Sequence, residues 1–118
     1  MPSRNYRDLI AWQKAMDFAA LVYSAAKSLP ADERFGLSLQ MRRAAVSIPS
    51  NIAEGQGRGT DAELCRFLHI ALGSLRECET QLLLSVRLEL LDPEIVDPLL
   101  AAAAEVGRLI HGLIRSKR

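Results

Sequence analysis

Leu64, Leu68, Ala71, Leu75, Cys78, Leu82 and Val86 recur at steps of three and four residues. That spacing is one face of an α-helix; a strand would alternate its faces at every residue. The phase holds for about six turns, and "TDAE" at 60–63 stands just before it. This is a capping box, in which the Thr60 hydroxyl accepts from the Glu63 amide and the Glu63 carboxylate reaches back. The spacing predicts a helix from there to about Leu90 or Leu91.

Three further segments carry the same period. Asn5 and Asp8 fit a cap and an acidic first turn, and Leu9, Trp12, Met16, Ala19, Tyr23 and Ala26 follow as the expected core stripe, ending near Leu29-Pro30. At the other end of the chain, Asp92-Pro93 opens a segment with Ile95, Leu99, Ala103, Val106, Ile110 and Leu113. Proline suits a first helical position, although Pro98 also permits a start at Asp97. Between them, Leu37, Met41, Ala44, Ile48, Ile52 and Gly55 keep one phase straight through Pro49. A single helix from about Glu33 to Gln56, kinked at Pro49, is therefore expected. The proline removes the hydrogen bond to the Ala45 carbonyl and costs about 3 kcal/mol in a helix interior. Pro49 lies roughly 120° from the apolar stripe, so that carbonyl is expected to face solvent or a partner. Ser47, Ser50 and Asn51 offer local side-chain hydrogen bonds.

Four helical segments with short connections near residues 30–32, 57–60 and 91–93 predict an all-α, up-down antiparallel four-helix bundle, one domain over residues 1–118. With 49% hydrophobic but only 5% aromatic residues, the core must be aliphatic. No apolar run approaches the ~20 residues that cross a membrane, and "MPSRNYRD" has no apolar signal core. A cytoplasmic protein without membrane contact is expected.

The chemistry-bearing motifs are thin. "GQGRG" at 55–59 lacks the preceding strand and the Lys-Ser/Thr ending of a phosphate loop; it reads as a helix C-terminal cap with Gly55 or Gly57 left-handed. Cys65 and Cys78 are thirteen residues apart in one helix, about 20 Å and beyond disulfide reach. His69 and His111 stand alone, His69 on an exposed face. Glu79 lies near the edge of the apolar stripe, where a carboxylate must be paired or wet; an ion pair with Arg42 or Arg43 across helices, or a place lining a pore, would satisfy it. No Glu-x-x-His occurs, against a di-iron centre. Neither catalytic residues, cofactor nor metal is expected. Glu54 and Arg58 have the spacing of a helix-surface ion pair.

Net charge is +1, unevenly spread. Residues 1–60 hold eight basic and five acidic side chains (net +3), and residues 61–118 hold seven and nine (net −2). That asymmetry suits self-complementary association or one basic face. Lys14, Arg42, Arg43 and Arg58 are the candidate nucleic-acid contacts, with Arg115, Lys117 and Arg118 forming a basic tail.

"DLIAWQKA", "FGLSLQMRRAAVSIPSNIAEGQGR" and "RFLHIALGSLRECETQLLL" together resemble the four-helix-bundle proteins related to those encoded in intervening sequences of bacterial 23S rRNA genes. The resemblance runs over nearly the whole chain. It is carried by Arg42, Arg43, Ser47–Ala53, Glu54, Gly55, Gly57 and Arg58, and by Ala71–Leu75, Glu77 and Glu79–Gln81. It implies a homopentameric ring with no known enzymatic activity. The accessory subunits of diversity-generating retroelements resemble this fold too, as basic barrels that bind nucleic acid and a reverse transcriptase; this chain is nearly neutral. The small residues around Pro49 permit close approach of a second backbone, so Ser47, Pro49, Ser50, Asn51, Glu54, Gly55, Gly57 and Arg58 are the expected oligomer interface. A non-enzymatic oligomeric scaffold that binds other proteins is the first functional expectation. A ring that binds RNA or an RNA-associated protein is the alternative.

Overall fold

The computed structural model describes residues 5–117. After a 3₁₀ turn at Tyr6–Asp8 come α1 (Ile10–Ala26), a second 3₁₀ turn at Ala31–Glu33, α2 (Leu37–Gly57), α3 (Asp61–Arg87) and α4 (Pro93–Lys117). No strand occurs among the described residues. Each helix packs on its neighbours in the cyclic order α1, α2, α3, α4, α1, with no Cα atoms within 8 Å across either diagonal among the described residues. The body is 50 Å long and about 20 Å across (23 × 19 Å).

Adjacent helices run in opposite senses. Met41, early in α2, meets Ser85, late in α3, while Gly55 at the far end of α2 meets Phe67 near the start of α3. Ile10 and Ala11 at the start of α1 lie with Leu109 and Leu113 late in α4, and Leu83 and Leu84 late in α3 lie with Pro93 and Val96 at the start of α4, while Gly107 farther along α4 meets Leu75.

The helix ends follow local chemistry. The Thr60 hydroxyl accepts from the Glu63 amide at 3.2 Å, as the capping box requires. The Glu63 carboxylate instead takes the Arg66 guanidinium at 2.8 Å, a hydrogen bond that holds its carboxyl below the ordinary value. α3 stops at Arg87, short of its expected end at Leu90 or Leu91. The Leu90 amide donates to the Ser85 carbonyl and the Glu89 amide to that of Val86, with Glu89 left-handed at φ 59°. This is a Schellman ending with glutamate where glycine is usual. α4 does start at Pro93, and Pro98 is accommodated inside it.

Two other boundaries differ from expectation. Asn5 caps the 3₁₀ turn through its side chain, and α1 begins only at Ile10. α2 begins at Leu37 because Gly36 leaves helical geometry at φ −103°, ψ −112°; Glu33, expected to open that helix, accepts from the Leu37 amide instead. Gly55 and Gly57 are both helical, and the left-handed glycine of the following turn is Gly59 at φ 87°.

The core is aliphatic and continuous, with Met41, Ile48, Ile52, Leu68, Leu75, Leu82 and Ile110 wholly enclosed. The stripes expected for α2, α3 and α4 face it with small deviations. In α1 the expected stripe is half right: Leu9, Ala19 and Ala26 are buried, but the core face is centred about one residue away. Ala11, Ala15, Phe18 and Val22 are buried, whereas Met16 and Tyr23 are 46% and 42% exposed. α1 is apolar on two adjacent faces, and the one rich in alanine allows the closer approach to α2 and α4.

Gly55 sits at a close approach of α2 and α3: a Cβ there would lie 2.7 Å from Phe67 Cβ. Gly73 has open space around its Cα. Gly55→Ala is therefore expected to destabilise by about 1–3 kcal/mol through overpacking. Gly73→Ala is expected to stabilise α3 by about 0.5–1 kcal/mol. Urea unfolding of both variants, compared at equal slope, checks the pair.

Candidate functional site

The border of the α1 core face and its exposed neighbours form one wall of a groove. Trp12, Met16, Ala19, Ala20 and Tyr23 face Val46, Pro49, Ser50 and Ala53 of α2 across a depression of about 490 Å³. Tyr6 closes one end, its ring edge-on to Trp12 with centroids 5.2 Å apart. Gln13 ties that turn down by donating from Nε2 to the Arg7 carbonyl at 2.8 Å. Toward the other end, Tyr23, Val46 and Ser50 are shared with a second depression that adds Leu39, Arg42, Arg43 and Ser47. The two make one surface along the α1–α2 flank, hydrocarbon in the middle and basic at one end.

Pro49, expected about 120° from the apolar stripe, belongs to this wall and is buried. It faces α1, because α2 turns its Ile48 and Ile52 face inward and Pro49 lies one residue round from Ile48. α2 remains helical through it. The Ser47 hydroxyl donates to the Ala44 carbonyl at 2.8 Å and Asn51 Nδ2 to the Ser47 carbonyl at 2.7 Å. Those bonds go to the neighbours of Ala45, not to the carbonyl that the proline leaves free.

Of the residues expected at an interface, Ser47, Pro49 and Ser50 line the groove. Asn51, Glu54, Gly57 and Arg58 lie outside its lining. Glu54 and Arg58 form an exposed ion pair at 2.9 Å. Gly55 is buried against Leu64 and Phe67 of the same chain, so its small size serves the subunit's own packing.

The four candidate nucleic-acid contacts do not form one patch. Lys14 lies on the α1–α4 side with Glu105. Arg42 donates to the Ser38 and Arg34 carbonyls and stands 5.9 Å over the Tyr23 ring. Arg58, about 24 Å along α2 from Arg42, stacks on Phe67 at 5.0 Å, with Arg66 at 4.6 Å from the same ring. Arg43 alone of the four is exposed with no ion pair among the described residues. Arg115 and Lys117 end α4, and Arg118 lies outside the described residues. The pairing expected for Glu79 is also different: its partner is Arg76, three residues back on α3, at 2.7 Å. A partner one turn away costs less ordering than one on another helix. His69 is exposed, with Nδ1 2.8 Å from the Cys65 carbonyl.

A family model described as 23S rRNA-intervening sequence protein matches residues 7–112. The chain belongs to that family. It is also similar to a protein of unknown function from the S23 ribosomal protein family of Bacteroides thetaiotaomicron, known from a crystal structure. The TM-score is 0.82 at 27% identity, covering 89% of this chain and 98% of that one. No curated protein matches the chain.

For this member of the 23S rRNA-intervening sequence protein family, the matched span includes all of the groove's lining except Tyr6. What the periodicity of α1 did not reveal is that Trp12, Met16 and Tyr23 belong to a surface. A signal was present: α1 also carries Ile10, Ala20 and Leu21 outside the core stripe, more hydrocarbon than a helix with one buried face requires.

Among the described residues no group of three or more His, Cys, Asp or Glu is placed to hold a metal. Both cysteines are free. Cys78 is enclosed, and burial, helped by the Glu77 and Glu79 charges, pushes its thiol up to about 12. The native protein is expected to react with a thiol reagent at pH 8 through Cys65 alone, and through two thiols once unfolded. Because the folded thiol titrates above the unfolded one, its contribution to stability is complete below about pH 8.5. It is lost as pH rises toward about 12. Thiol counting with and without denaturant, and unfolding curves between pH 7 and 10, check both statements.

Proposed function

We propose that this protein is a non-enzymatic scaffold that works as a homo-oligomer, with the α1–α2 groove forming part of each subunit contact. One observation carries the reading: Met16 and Tyr23 of α1 and Val46 of α2 are each more than 40% exposed around one groove. Contiguous apolar surface of this kind marks association sites. The cost of the interior proline is offset if its wall is covered by a second chain. The ring of five implied by the sequence resemblance is the form proposed. The absence of carboxylate, histidine and cysteine from the groove's lining supports a contact surface over a catalytic one.

RNA contact is the second reading, favoured by the unpaired Arg43, which symmetry would repeat around a ring. It is weaker because Lys14, Arg42 and Arg58 already have partners within the chain. Binding through six or more phosphates would weaken about a thousandfold or more between roughly 50 and 200 mM salt.

Light scattering and native mass spectrometry at micromolar concentration test the assembly. The wild type is expected as a multiple of 13.0 kDa. Met16→Glu combined with Val46→Glu is expected to give the single-chain mass with unchanged helical circular dichroism, since both positions are exposed within the subunit. A wild type that remains one chain at tens of micromolar refutes the reading. An anisotropy titration with structured RNA, repeated across salt, decides the second reading.

A further inference from the structure

The seam between α1 and α4 opens into a separate apolar recess of about 290 Å³. Ile10 and Ala11 line it from the start of α1, and Leu109, Gly112 and Leu113 from late α4, together with Arg108. Ile10 is 60% exposed, more than any other large apolar side chain in the four helices among the described residues. It is the first residue of α1, and a β-branched side chain at an exposed first position adds nothing to the helix itself. None of these residues lines the α1–α2 groove, so the recess is independent of the homo-oligomer reading.

The charge around the recess is of one sign. One turn inward from Ile10 and Leu109, Lys14 and Glu105 pair at 3.7 Å and cancel. On the α1 side Arg7 and Asp8 are both exposed and offset each other. Beyond Glu105, α4 carries Arg108, Arg115, Lys117 and Arg118 and no carboxylate. Arg108, Arg115 and Lys117 are exposed, and none is in an ion pair among the described residues. Arg115 does not point away past the helix end. Its guanidinium lies back over Gly112, where an added Cβ would be 3.7 Å from Nη2. The negative end of the α4 dipole accounts for cations at Arg115 and Lys117. It does not account for Arg108, about two and a half turns from the last residue of the helix, nor for the direction that Arg115 takes.

From this placement we infer that the α1–α4 recess is the docking site for a short acidic amphipathic helix of a partner protein. Two apolar side chains of that helix, one turn apart, seat on Ile10, Leu109 and Leu113, and its carboxylates meet Arg108 and Arg115. The span from Arg108 to Arg115 is about 10 Å of helix, the reach of an i, i+4 anchor pair in helix-in-groove recognition. The hydrocarbon lining is what separates this occupant from a nucleic acid: no aromatic ring lines the recess for a base to stack on. A membrane surface takes apolar side chains that protrude from a helix face, whereas most of this hydrocarbon lies in a hollow between two helices. A second copy beside the first fits no better. The unpaired acids Glu89, Asp92, Glu94 and Asp97 stand at the other end of α4, so a parallel neighbour brings none of them to the recess. An acidic helix supplies the partner class that a scaffold requires, through a surface other than the one proposed for assembly.

The test uses the full chain and labelled helical peptides of about four turns, each with two apolar anchors at i and i+4 flanked by glutamates. The anchors are varied among Leu, Ile, Met and Phe. Controls are the same compositions scrambled so that the anchors leave one face, and a set with lysine in place of glutamate. Fluorescence anisotropy is expected to show micromolar binding of the acidic amphipathic set and binding about tenfold weaker or less for both controls. Ile10→Glu and Arg115→Glu are each expected to weaken the acidic set about tenfold or more, with circular dichroism unchanged because both positions are exposed. Arg115→Glu is also expected to strengthen the lysine set. Arg43→Glu, on the α1–α2 flank, is expected to change nothing. No binding by any acidic peptide overturns the inference, as do equal binding of the scrambled set and an equal loss in Arg43→Glu. If Ile10→Glu lowers the mass of the unliganded protein, the occupant is a second copy, and the partner-protein assignment falls. If structured RNA or phosphatidylserine vesicles bind the wild type, lose binding with Ile10→Glu, and exceed the peptides in affinity, the assignment falls in their favour. A wild type that stays one chain overturns the oligomer reading alone, so failure of either is read separately.

Discussion

α2 and α3 approach so closely that glycine is required at the contact. Gly55 lies against Phe67 and Leu64 with no room for a methyl group, and the same pair of helices closes at its other end through Met41, Cys78 and Ser85. Two contacts so far apart along the helices fix their register. Phe67, placed by that register, then gives Arg58 and Arg66 a common ring to stack on. The remaining helices complete the square against this pair, and the flanks that remain outside are the surfaces from which function has to be read.

Pro49 shows how one local irregularity acquires meaning from its neighbours. A proline inside a helix removes a donor and crowds a carbonyl. Here it is buried on the wall of the α1–α2 groove, while Ser47 and Asn51 satisfy the carbonyls on either side of the disrupted turn. Neither its burial nor the direction it faces follows from α2 alone. Both depend on α1 presenting Ala19 and Ala20, small enough to admit it, at the same level.

The charges point the same way. Most of the cations that looked free in the sequence are used inside the subunit, Lys14 on Glu105 and Arg42 on backbone carbonyls. Arg43, Arg108 and Arg115 are not, and they sit beside hydrocarbon. Unpaired charge bordering apolar surface gives an association both orientation and partner choice.

Much of this fold is written in the sequence because helix period, caps and proline positions are local properties. The single phase from Leu64 to Leu82, the Thr60 cap and the start of α4 at Pro93 needed only neighbouring residues, and they came out as expected. The family was legible for a related reason: its central motif is a contiguous run. The orientation of α1 was not legible. Its hydrocarbon covers two faces, and a hydrophobic period identifies an apolar face without saying which of two the core will take. That choice was made by packing, which favours the face that brings backbones closest and buries Phe18 and Val22 while leaving Met16 and Tyr23 outside. Glu79 was decided in the same way, by the nearness of Arg76 over any arginine on α2. The sequence determined that there would be four helices and where α3 and α4 begin, because those are short-range energies. Only the tertiary structure decided which surfaces remain for a partner, because that is settled by competition among faces for a single core.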